Sequence, residues 1–165
     1  MKKLMLVIVV TLFAVSAFAA GTKIAVVDFQ QAFSSYGKTQ NSFDALQMEK
    51  SSRQEKLSKI ESELKERKDA LESKKKDKSL SGDELKKEEN KLKVDIMSLQ
   101  RKLASFNQEL QDMEKQYMDD IKSDIDKIIS KIAKKKGYDY ILEKNVVFFG
   151  ADDITEEVIK ELNKK

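Results

Sequence analysis

Apolar residues recur along the middle of this chain at alternating steps of three and four residues. Starting from Tyr36, seven of the twelve positions reached by these steps are apolar. Starting from Leu85, nine of the ten positions up to Tyr117 are apolar. This period is typical of helices that pair along a coiled-coil seam. The pattern therefore predicts two long helices, over 38–81 and 83–136, each with a single apolar stripe.

The segment between these helices, SLSG at 79–82, has the composition of a turn. Ser81 is followed three residues later by Glu84, which is the capping-box pattern for the start of a helix. Glycine, which weakens helix interiors, is absent from 38–81 and 83–136. Because so short a connection makes the helices run back antiparallel, the sequence predicts a helical hairpin with its turn near 79–82 and a length of about 60 Å at ~1.5 Å per residue.

The two flanks of this helical region have strand-like patterns. Residues 23–29, KIAVVDF, are rich in β-branched apolar residues and predict a buried strand. Gly137 is the predicted cap of the second helix. The runs YDYILE (138–143) and VVFF (146–149) then stand on either side of a small turn and predict a β-hairpin. We expect both flanks to join in one small sheet, followed by a short helix with Thr155 as its N-cap.

These elements predict an α+β fold in which a long antiparallel α-helical hairpin, 38–136, extends from a small β-rich body formed by 20–37 and 137–165. A body of three short strands and two small helices has a meagre core, and small cores are marginal in stability. We therefore expect the body to form an oligomer. The residues predicted to lie in this oligomerisation body are Ile24, Val26, Phe29, Tyr140, Leu142, Val147 and Phe149.

The first 20 residues have the features of a secretory signal peptide. Two lysines precede an apolar stretch that starts at Leu4, and AFA at 17–19 matches a small-x-small cleavage site. The stretch reaches Ala20 at most, which is shorter than the ~20 residues of a membrane-spanning helix. We therefore prefer cleavage of residues 1–19 to a membrane anchor. The sequence thus predicts an exported protein that is soluble after processing.

Charge and composition argue against several classes of function. Loss of the signal peptide would leave 30 of the 32 basic residues against 29 acidic ones, so a general attraction to nucleic acid is not expected. The chain has no histidine and no cysteine, which removes most nucleophile–base pairs and soft-metal sites. No glycine-rich phosphate loop such as GxxxxGK occurs. We therefore expect no enzyme activity, no cofactor and no metal.

Two groups of basic residues leave alternatives open. Six lysines surround the turn: Lys74, Lys75, Lys76, Lys78, Lys86 and Lys87. They are candidates for contact with a client protein, anionic lipid or lipopolysaccharide, or they only keep the turn soluble among the neighbouring acids. Lys50 and Arg53 interrupt the apolar stripe opposite Asn107 and Leu110. This pair is either a hinge or a place where long side chains pack their stems and extend their charges to water.

The whole chain after the signal peptide resembles the Skp/OmpH family of periplasmic chaperones. The resemblance is carried by KIAVVDFQQAF at 23–33 and KGYDYILEKNVVFFGADDITEEVIKELN at 136–163. It implies a homotrimer in the periplasm whose strands form the body and whose three helical arms enclose a cavity. It also implies that this cavity holds unfolded outer-membrane proteins and prevents their aggregation without ATP.

Two other functions fit the sequence. A structural coiled-coil protein of the envelope, acting as a spacer or tether, would have a rigid arm and would not protect unfolded clients. A protein that binds anionic lipid through its basic turn would have an affinity that follows the six lysines. Assays of client protection and of lysine-dependent binding therefore distinguish the three hypotheses.

Overall fold

The structure, a computed structural model, describes residues 21–164. The predicted signal peptide lies outside the described residues. As predicted, the described chain is mostly helical, with long helices and a small sheet. In chain order its elements are β1 (Ile24–Val27), α1 (Phe29–Ser35), α2 (Gly37–Lys76), α3 (Gly82–Lys136), β2 (Tyr140–Glu143), a 3-10 turn (Lys144–Val146), β3 (Asp152–Asp153) and α4 (Thr155–Leu162).

β1 is the central strand of a three-stranded sheet with the order β2-β1-β3. Both neighbours run parallel to it, with Ile24 opposite Tyr140 and Ala25 opposite Asp152. The last three residues of β1 are all buried, so both faces of the strand are covered. An unbroken apolar run is what a parallel strand covered on both faces requires. The buried strand predicted within 23–29 is therefore confirmed, with the bounds Ile24–Val27.

The predicted β-hairpin at 138–149 is wrong. Only Tyr140–Glu143 of this segment is a strand, and the next strand, Asp152–Asp153, lies on the other side of β1. Because β2 and β3 are both parallel to β1, they are not neighbours joined by a tight turn. The run VVFF at 146–149 has the composition of a strand, but β1 has only two edges and β2 and β3 already pair with both.

The described chain divides into two compact units, which we call the sheet unit (21–35 and 124–164) and the arm unit (Tyr36–Ser123). In the sheet unit, α4 is joined to α3 by two ion pairs, Lys131–Glu161 at 3.2 Å between Nζ and Oε2, and Lys136–Glu157. These pairs lie at the edge of a small core. The buried apolar residues of the sheet unit are Ala25, Val26, Val27, Ala32, Ile125, Ile132, Ile154, Val158 and Leu162.

Thr155 does not cap α4 as predicted, because it is the first residue of the helix and makes no capping bond. Its hydroxyl instead accepts the backbone N–H of Asp28 at 2.9 Å and donates to Asp153 Oδ1 at 2.6 Å. The Asp153 carboxylate also accepts the backbone N–H of Thr155 at 2.9 Å. The buried hydroxyl thus ties the end of β1 to the start of α4, which is a tertiary role that a local capping pattern does not reveal.

The end of α3 is confirmed as predicted. Gly137 has a φ of +68°, in the left-handed region that glycine adopts without steric cost. The backbone N–H of Tyr138 donates to the Ala133 carbonyl at 3.0 Å, as in a Schellman motif. This geometry stops the helix and directs the chain into β2.

In the arm unit, α2 ends at Lys76 and α3 begins at Gly82, with residues 77–81 between them. The predicted capping box is confirmed: Ser81 Oγ accepts the Glu84 N–H at 3.3 Å, and Glu84 Oε2 accepts the Ser81 N–H at 3.0 Å. The left-handed residue that ends α2 is Lys78, with a φ of 50°. The connecting segment 77–81 overlaps the predicted turn near 79–82 and begins two residues earlier.

Ion pairs join α2 and α3 within the arm unit. They include Arg53 Nη1–Glu109 Oε2 at 2.7 Å, Arg67 Nη1–Asp95 Oδ2 at 2.7 Å, Arg67 Nη2–Glu88 Oε2 at 4.0 Å and Lys75 Nζ–Glu89 Oε1 at 3.0 Å. From the Arg53 pair to the Arg67–Asp95 pair and then to the Lys75 pair, the residue number increases on α2 and decreases on α3. Within this unit, all of which is described, only Thr39, Leu57 and Ile121 are buried. The contact between the two helices is therefore a thin stripe.

Candidate interaction surfaces

The sheet unit exposes apolar side chains along β2 and in the loop after it. Alternate residues of a strand face opposite sides, and Tyr140 and Leu142 lie on the exposed side of β2. In the loop, Phe148 and Phe149 are 104% and 97% exposed, and Val146 is also exposed. We call these five residues the apolar loop surface. Adjacent, fully exposed phenylalanines beside other exposed apolar residues are candidates for contact with a partner.

An ion pair closes the loop that carries the two phenylalanines. Lys144, at one end of the loop, lies 2.7 Å from the carboxylate of Asp153 at the other end. This bond from Lys144, followed by the bonds from the Thr155 hydroxyl and N–H, lowers the pKa of Asp153 from 3.8 to about 2. Gly150, with a φ of +88°, supplies the left-handed turn within the loop. The apolar side chains are therefore presented on a loop whose ends are fixed.

Polar contacts fix the start of β2 in the same unit. The Lys23 N–H donates to Asp139 Oδ2 at 2.7 Å, and the Asp139 N–H donates to the Lys23 carbonyl at 2.8 Å. The Lys23 ammonium lies 4.6 Å from the centre of the Tyr138 ring. The Tyr138 hydroxyl donates to Asp152 Oδ2 at 2.9 Å, which links the region before β2 to β3. These bonds hold the exposed edge strand in place.

Three of the seven residues predicted for the oligomerisation body lie on the apolar loop surface, namely Tyr140, Leu142 and Phe149. The other four lie elsewhere: Ile24 and Val26 in β1, Phe29 at the start of α1, and Val147 half-buried in the loop. The Phe29 ring stacks on Phe33 with centroids 6.4 Å apart. The sequence analysis did not include Val146 and Phe148, although both lie in the same apolar VVFF run as the predicted Val147 and Phe149.

The arm unit has a groove between α2 and α3, which we call the interhelical groove. Its volume is about 480 Å³. Its apolar residues are Phe43, Leu46 and Leu110, and its polar residues are Gln47, Lys50, Asn107, Gln111 and Glu114. The expected position of Lys50 opposite Asn107 and Leu110 is thereby confirmed. Only three of the eight side chains that line the groove are apolar, so its surface is mixed in character.

Arg53, one turn further along α2, is not a weak point of the stripe. Its side chain is only 13% exposed, and it bonds Glu49 at 2.6 Å and Glu109 at 2.7 Å. Its guanidinium carbon lies 4.8 Å from the centre of the Phe106 ring. A bond from Ser105, and then the bond from Arg53, lowers the pKa of Glu109, so this carboxylate stays ionised. Lys50 and Arg53 are adjacent cations of the predicted stripe, yet their environments are opposite.

The six lysines around the turn are all exposed. Lys75 pairs with Glu89 at 3.0 Å, and Lys76 pairs with Glu72 at 3.2 Å. Among the described residues, the other four have no acidic side chain within ion-pair distance: Lys74, Lys78, Lys86 and Lys87. Five acidic residues lie among the six lysines, so the excess of positive charge at the turn is small: Asp77, Asp83, Glu84, Glu88 and Glu89.

The described residues contain neither a candidate metal group nor a helix that could cross a membrane. Nowhere between residues 21 and 164 do three or more His, Cys, Asp or Glu side chains form a group suited to a metal ion. None of the helices described there combines the length and apolar content that crossing a membrane requires.

The family model for outer membrane proteins of the OmpH-like type matches residues 23–162. The chain belongs to the OmpH-like family. The resemblance seen in the two ends of the sequence is thereby confirmed. The match spans every helix and strand that the structure describes in this OmpH-like chain. No curated protein matches its sequence.

The fold of this OmpH-like chain is similar to a crystal structure from Caulobacter crescentus CB15. That protein is proposed to be an OmpH-like outer membrane chaperone. The TM-score is 0.76 and the sequence identity is 18%, over 86% of this chain and 84% of the other. At this identity the similarity establishes a common fold, and the details of function have to be argued from this chain's own surfaces.

Proposed function

We propose that this OmpH-like protein is an ATP-independent holdase that keeps unfolded outer-membrane proteins from aggregating in the periplasm. Membership of the family over residues 23–162 is the observation that carries the proposal. Export through the predicted signal peptide would place the protein in a compartment without ATP. A holdase there has to work by reversible binding, and many weak contacts in a confined space retain a chain through high effective concentration.

The arm unit supplies apolar side chains suited to such weak contacts. The exposed large apolar residues of this unit are Phe43, Met48, Val94, Ile96, Met97, Leu103 and Met118. Methionine is unbranched and polarisable, so it adapts to many partner surfaces. These residues are separated by charged positions, which limits the affinity of any one contact and favours release. We propose that they contact the unfolded client.

The same proposal includes a homotrimer with helical hairpin arms. The opposite order of the ion-paired residues on α2 and α3 supports a hairpin. The apolar loop surface supports assembly through the sheet units, because its two exposed phenylalanines have no cover within the described chain. Three such arms would enclose the cavity in which clients are held.

An aggregation assay tests the function. An unfolded outer-membrane barrel protein is diluted from denaturant into buffer with or without the processed chain, and light scattering is followed without ATP. The holdase proposal expects scattering to be suppressed at a stoichiometric ratio of trimer to client. Scattering that is unchanged by the chain would contradict it and would favour the spacer hypothesis.

Matched variants locate the client contact. Replacing Met48, Met97 and Met118 with Gln keeps side-chain length and helix propensity but removes apolar surface, so suppression of aggregation should weaken several-fold. The control replaces the same three residues with Leu, which keeps the apolar surface and should retain the activity. Equal activity of the Gln and Leu variants would move the client site away from these methionines.

The unpaired lysines at the turn favour a second candidate, binding of an anionic surface or an acidic client. Changing the six lysines to Gln should slow client capture modestly and flatten its salt dependence, because exposed charges act over a screening length of about 8 Å at physiological salt. Capture kinetics at two salt concentrations measure this. Complete loss of capture at both salts would make the turn the primary site and would replace the cavity proposal.

A further inference from the structure

The arm unit carries methionines on its surface as well as in its apolar stripe. Met113 is a stripe position of α3 and is half-buried. Met48, Met97 and Met118 lie outside the stripe positions, and their exposed fractions are 73%, 48% and 45%. Packing within the stripe accounts for Met113, whereas the other three side chains are accessible to small molecules in the solvent.

These thioethers are the readily oxidised side chains of the chain, because the sequence contains no cysteine and no tryptophan. A thioether reacts with a two-electron oxidant such as hydrogen peroxide. The sulfur forms a bond to one peroxide oxygen, the O–O bond breaks, and the peroxide is reduced to water while the sulfur loses two electrons. A dithiol reductant reverses the step, since it takes up the sulfoxide oxygen as water and becomes a disulfide.

Two of the three exposed methionines have a cation four residues further along α3, namely Arg101 after Met97 and Lys122 after Met118. Long side chains of a helix point towards its N-terminus, so each cation extends over the turn that carries its methionine. Arg101 Nε donates to the Met97 carbonyl at 3.4 Å, which places the guanidinium beside this turn. A sulfoxide oxygen there would be a hydrogen-bond acceptor next to a charged donor. Oxidation at these positions is therefore compatible with an intact helix.

We propose that Met48, Met97 and Met118 are sites of reversible oxidation to the sulfoxide, and that this modification weakens the hold of the protein on unfolded clients. Oxidation converts a flexible apolar side chain into a polar one. Contact with an unfolded client depends on burial of apolar surface, so each sulfoxide removes part of the attraction. The effect on clients rests on the proposed holdase function, whereas the assignment of the oxidation sites does not.

Peptide mass spectrometry of the processed full-length protein, after brief treatment with hydrogen peroxide and without client, tests the site assignment. Met48, Met97 and Met118 should each gain one oxygen atom at least about five-fold faster than Met113, because oxidation follows exposure. Equal rates at all four positions would overturn the assignment. Circular dichroism of the treated protein should keep the helical signal, and loss of that signal would show that oxidation acts by melting the arm and would overturn the proposed effect on the surface.

The aggregation assay, with the peroxide removed before the client is added, tests the effect on clients. Treated protein should suppress aggregation several-fold less than untreated protein, and incubation with a dithiol and the two reductases, one for each sulfoxide epimer, should restore the activity. Unchanged suppression by the fully oxidised protein would refute the regulatory effect alone. Untreated protein that fails to suppress aggregation would instead refute the holdase proposal and the regulatory effect with it, while the mass spectrometry would still decide the sites.

Two variants connect the sites to the effect, and each is compared with its own untreated sample. A variant with Met48→Leu, Met97→Leu and Met118→Leu has no thioether at the proposed sites, so peroxide treatment should leave its activity, whatever its level, unchanged. The matched control, Met113→Leu, makes the same substitution at the half-buried position and should lose activity on treatment as the wild type does. Equal sensitivity of the triple variant and the wild type to peroxide would refute the role of the three sites.

Discussion

At the residue scale, two buried threonines have opposite environments. The Thr155 hydroxyl accepts from the Asp28 N–H and donates to Asp153. The Thr39 hydroxyl is buried in the arm unit and has no hydrogen-bond partner in the described structure. A buried polar group without a partner loses its bonds to water and gains nothing in return, which costs roughly 1–3 kcal/mol. Thr39 is therefore a small local weakness, and Thr155 is a local support.

We predict that the same substitution has opposite effects at these two positions. Thr39→Val should raise the free energy of unfolding by about 1 kcal/mol, because it removes the unsatisfied hydroxyl and leaves helix propensity nearly unchanged. Thr155→Val should lower it by roughly 1–3 kcal/mol, because the Asp28 N–H and the Asp153 carboxylate lose a partner. Urea denaturation followed by circular dichroism, at equal chain concentration, measures both. A stabilised Thr155→Val variant would contradict the assigned bonds.

Lys78, like Thr39, is locally unfavourable, because its backbone conformation is one that a lysine rarely adopts. It ends α2 with a φ of 50°, and the neighbouring Ser79 N–H donates to the Lys74 carbonyl at 3.1 Å. A side chain in the left-handed region costs roughly 1–2 kcal/mol, which glycine avoids. Glycine also has greater freedom in the unfolded chain, and this cancels part of the gain. Lys78→Gly should therefore stabilise the protein by roughly 0.5–1 kcal/mol in the same denaturation assay.

The control for that variant removes the same charge two residues earlier. Lys76→Gly lies in the last turn of α2, where the backbone is helical, and should destabilise by about 1 kcal/mol at most. If both variants changed stability in the same direction, the effect would come from loss of lysine charge and the conformational argument would be wrong.

At the scale of the elements, the junction of the loop, β3 and α4 depends on one carboxylate. Asp153 binds Lys144 and Thr155, and these bonds lower its pKa from 3.8 to about 2. Because the pKa is lower in the folded protein, the stabilisation is fully present above pH 3.8 and is lost as the pH falls through about 2. Below that range the ion pair that closes the loop no longer forms.

We predict that the free energy of unfolding of the wild type falls more steeply between pH 4 and pH 2 than that of Asp153→Asn. Lys144→Gln should show an intermediate slope, because it removes the largest cause of the lowered pKa and leaves the Thr155 bonds in place. Chemical denaturation at a series of pH values measures these slopes. Parallel curves for wild type and Asp153→Asn would show that the carboxylate does not contribute in this range.

The elements also show what the sequence could and could not predict. The long helices, the capping box at Ser81 and the cap at Gly137 follow from local patterns, because each is fixed by bonds within a few residues. The order β2-β1-β3 is set by which segment pairs with each edge of β1, and VVFF at 146–149 has the composition of a strand without such a partner. Composition alone cannot distinguish a segment that pairs with β1 from one that does not.

The same limit applies to the candidate surfaces. Lys50 and Arg53 are cations of similar length at successive stripe positions, so the same two alternatives, a hinge or packed stems, applied to both. Their difference depends on Glu109 and Phe106, which are more than fifty residues away in the chain. The apolar loop surface was partly predicted, through Tyr140, Leu142 and Phe149, because apolar side chains outside the core can be recognised by type.

At the scale of the whole molecule, the small core of the sheet unit and its exposed phenylalanines point to the same conclusion. Small cores gain stability when they associate, and the apolar loop surface is the most exposed apolar feature of this unit. Because Phe148 and Phe149 are fully exposed in the single chain, they contribute almost no packing to its own fold. Their contribution can therefore be measured separately from folding.

The last prediction concerns the proposed homotrimer. Phe148→Ser together with Phe149→Ser should weaken self-association by roughly 100-fold or more, since burying each ring in an interface is worth ~1.5–3 kcal/mol. The control, Val94→Ser together with Met97→Ser, removes exposed apolar surface from the arm unit and should leave association unchanged. Sedimentation velocity over a range of concentrations measures association, and circular dichroism at low temperature checks that the helices persist. A phenylalanine variant that sediments as the wild type does would place the assembly contact elsewhere on the chain, and the proposal that the sheet units join through this loop would have to be abandoned.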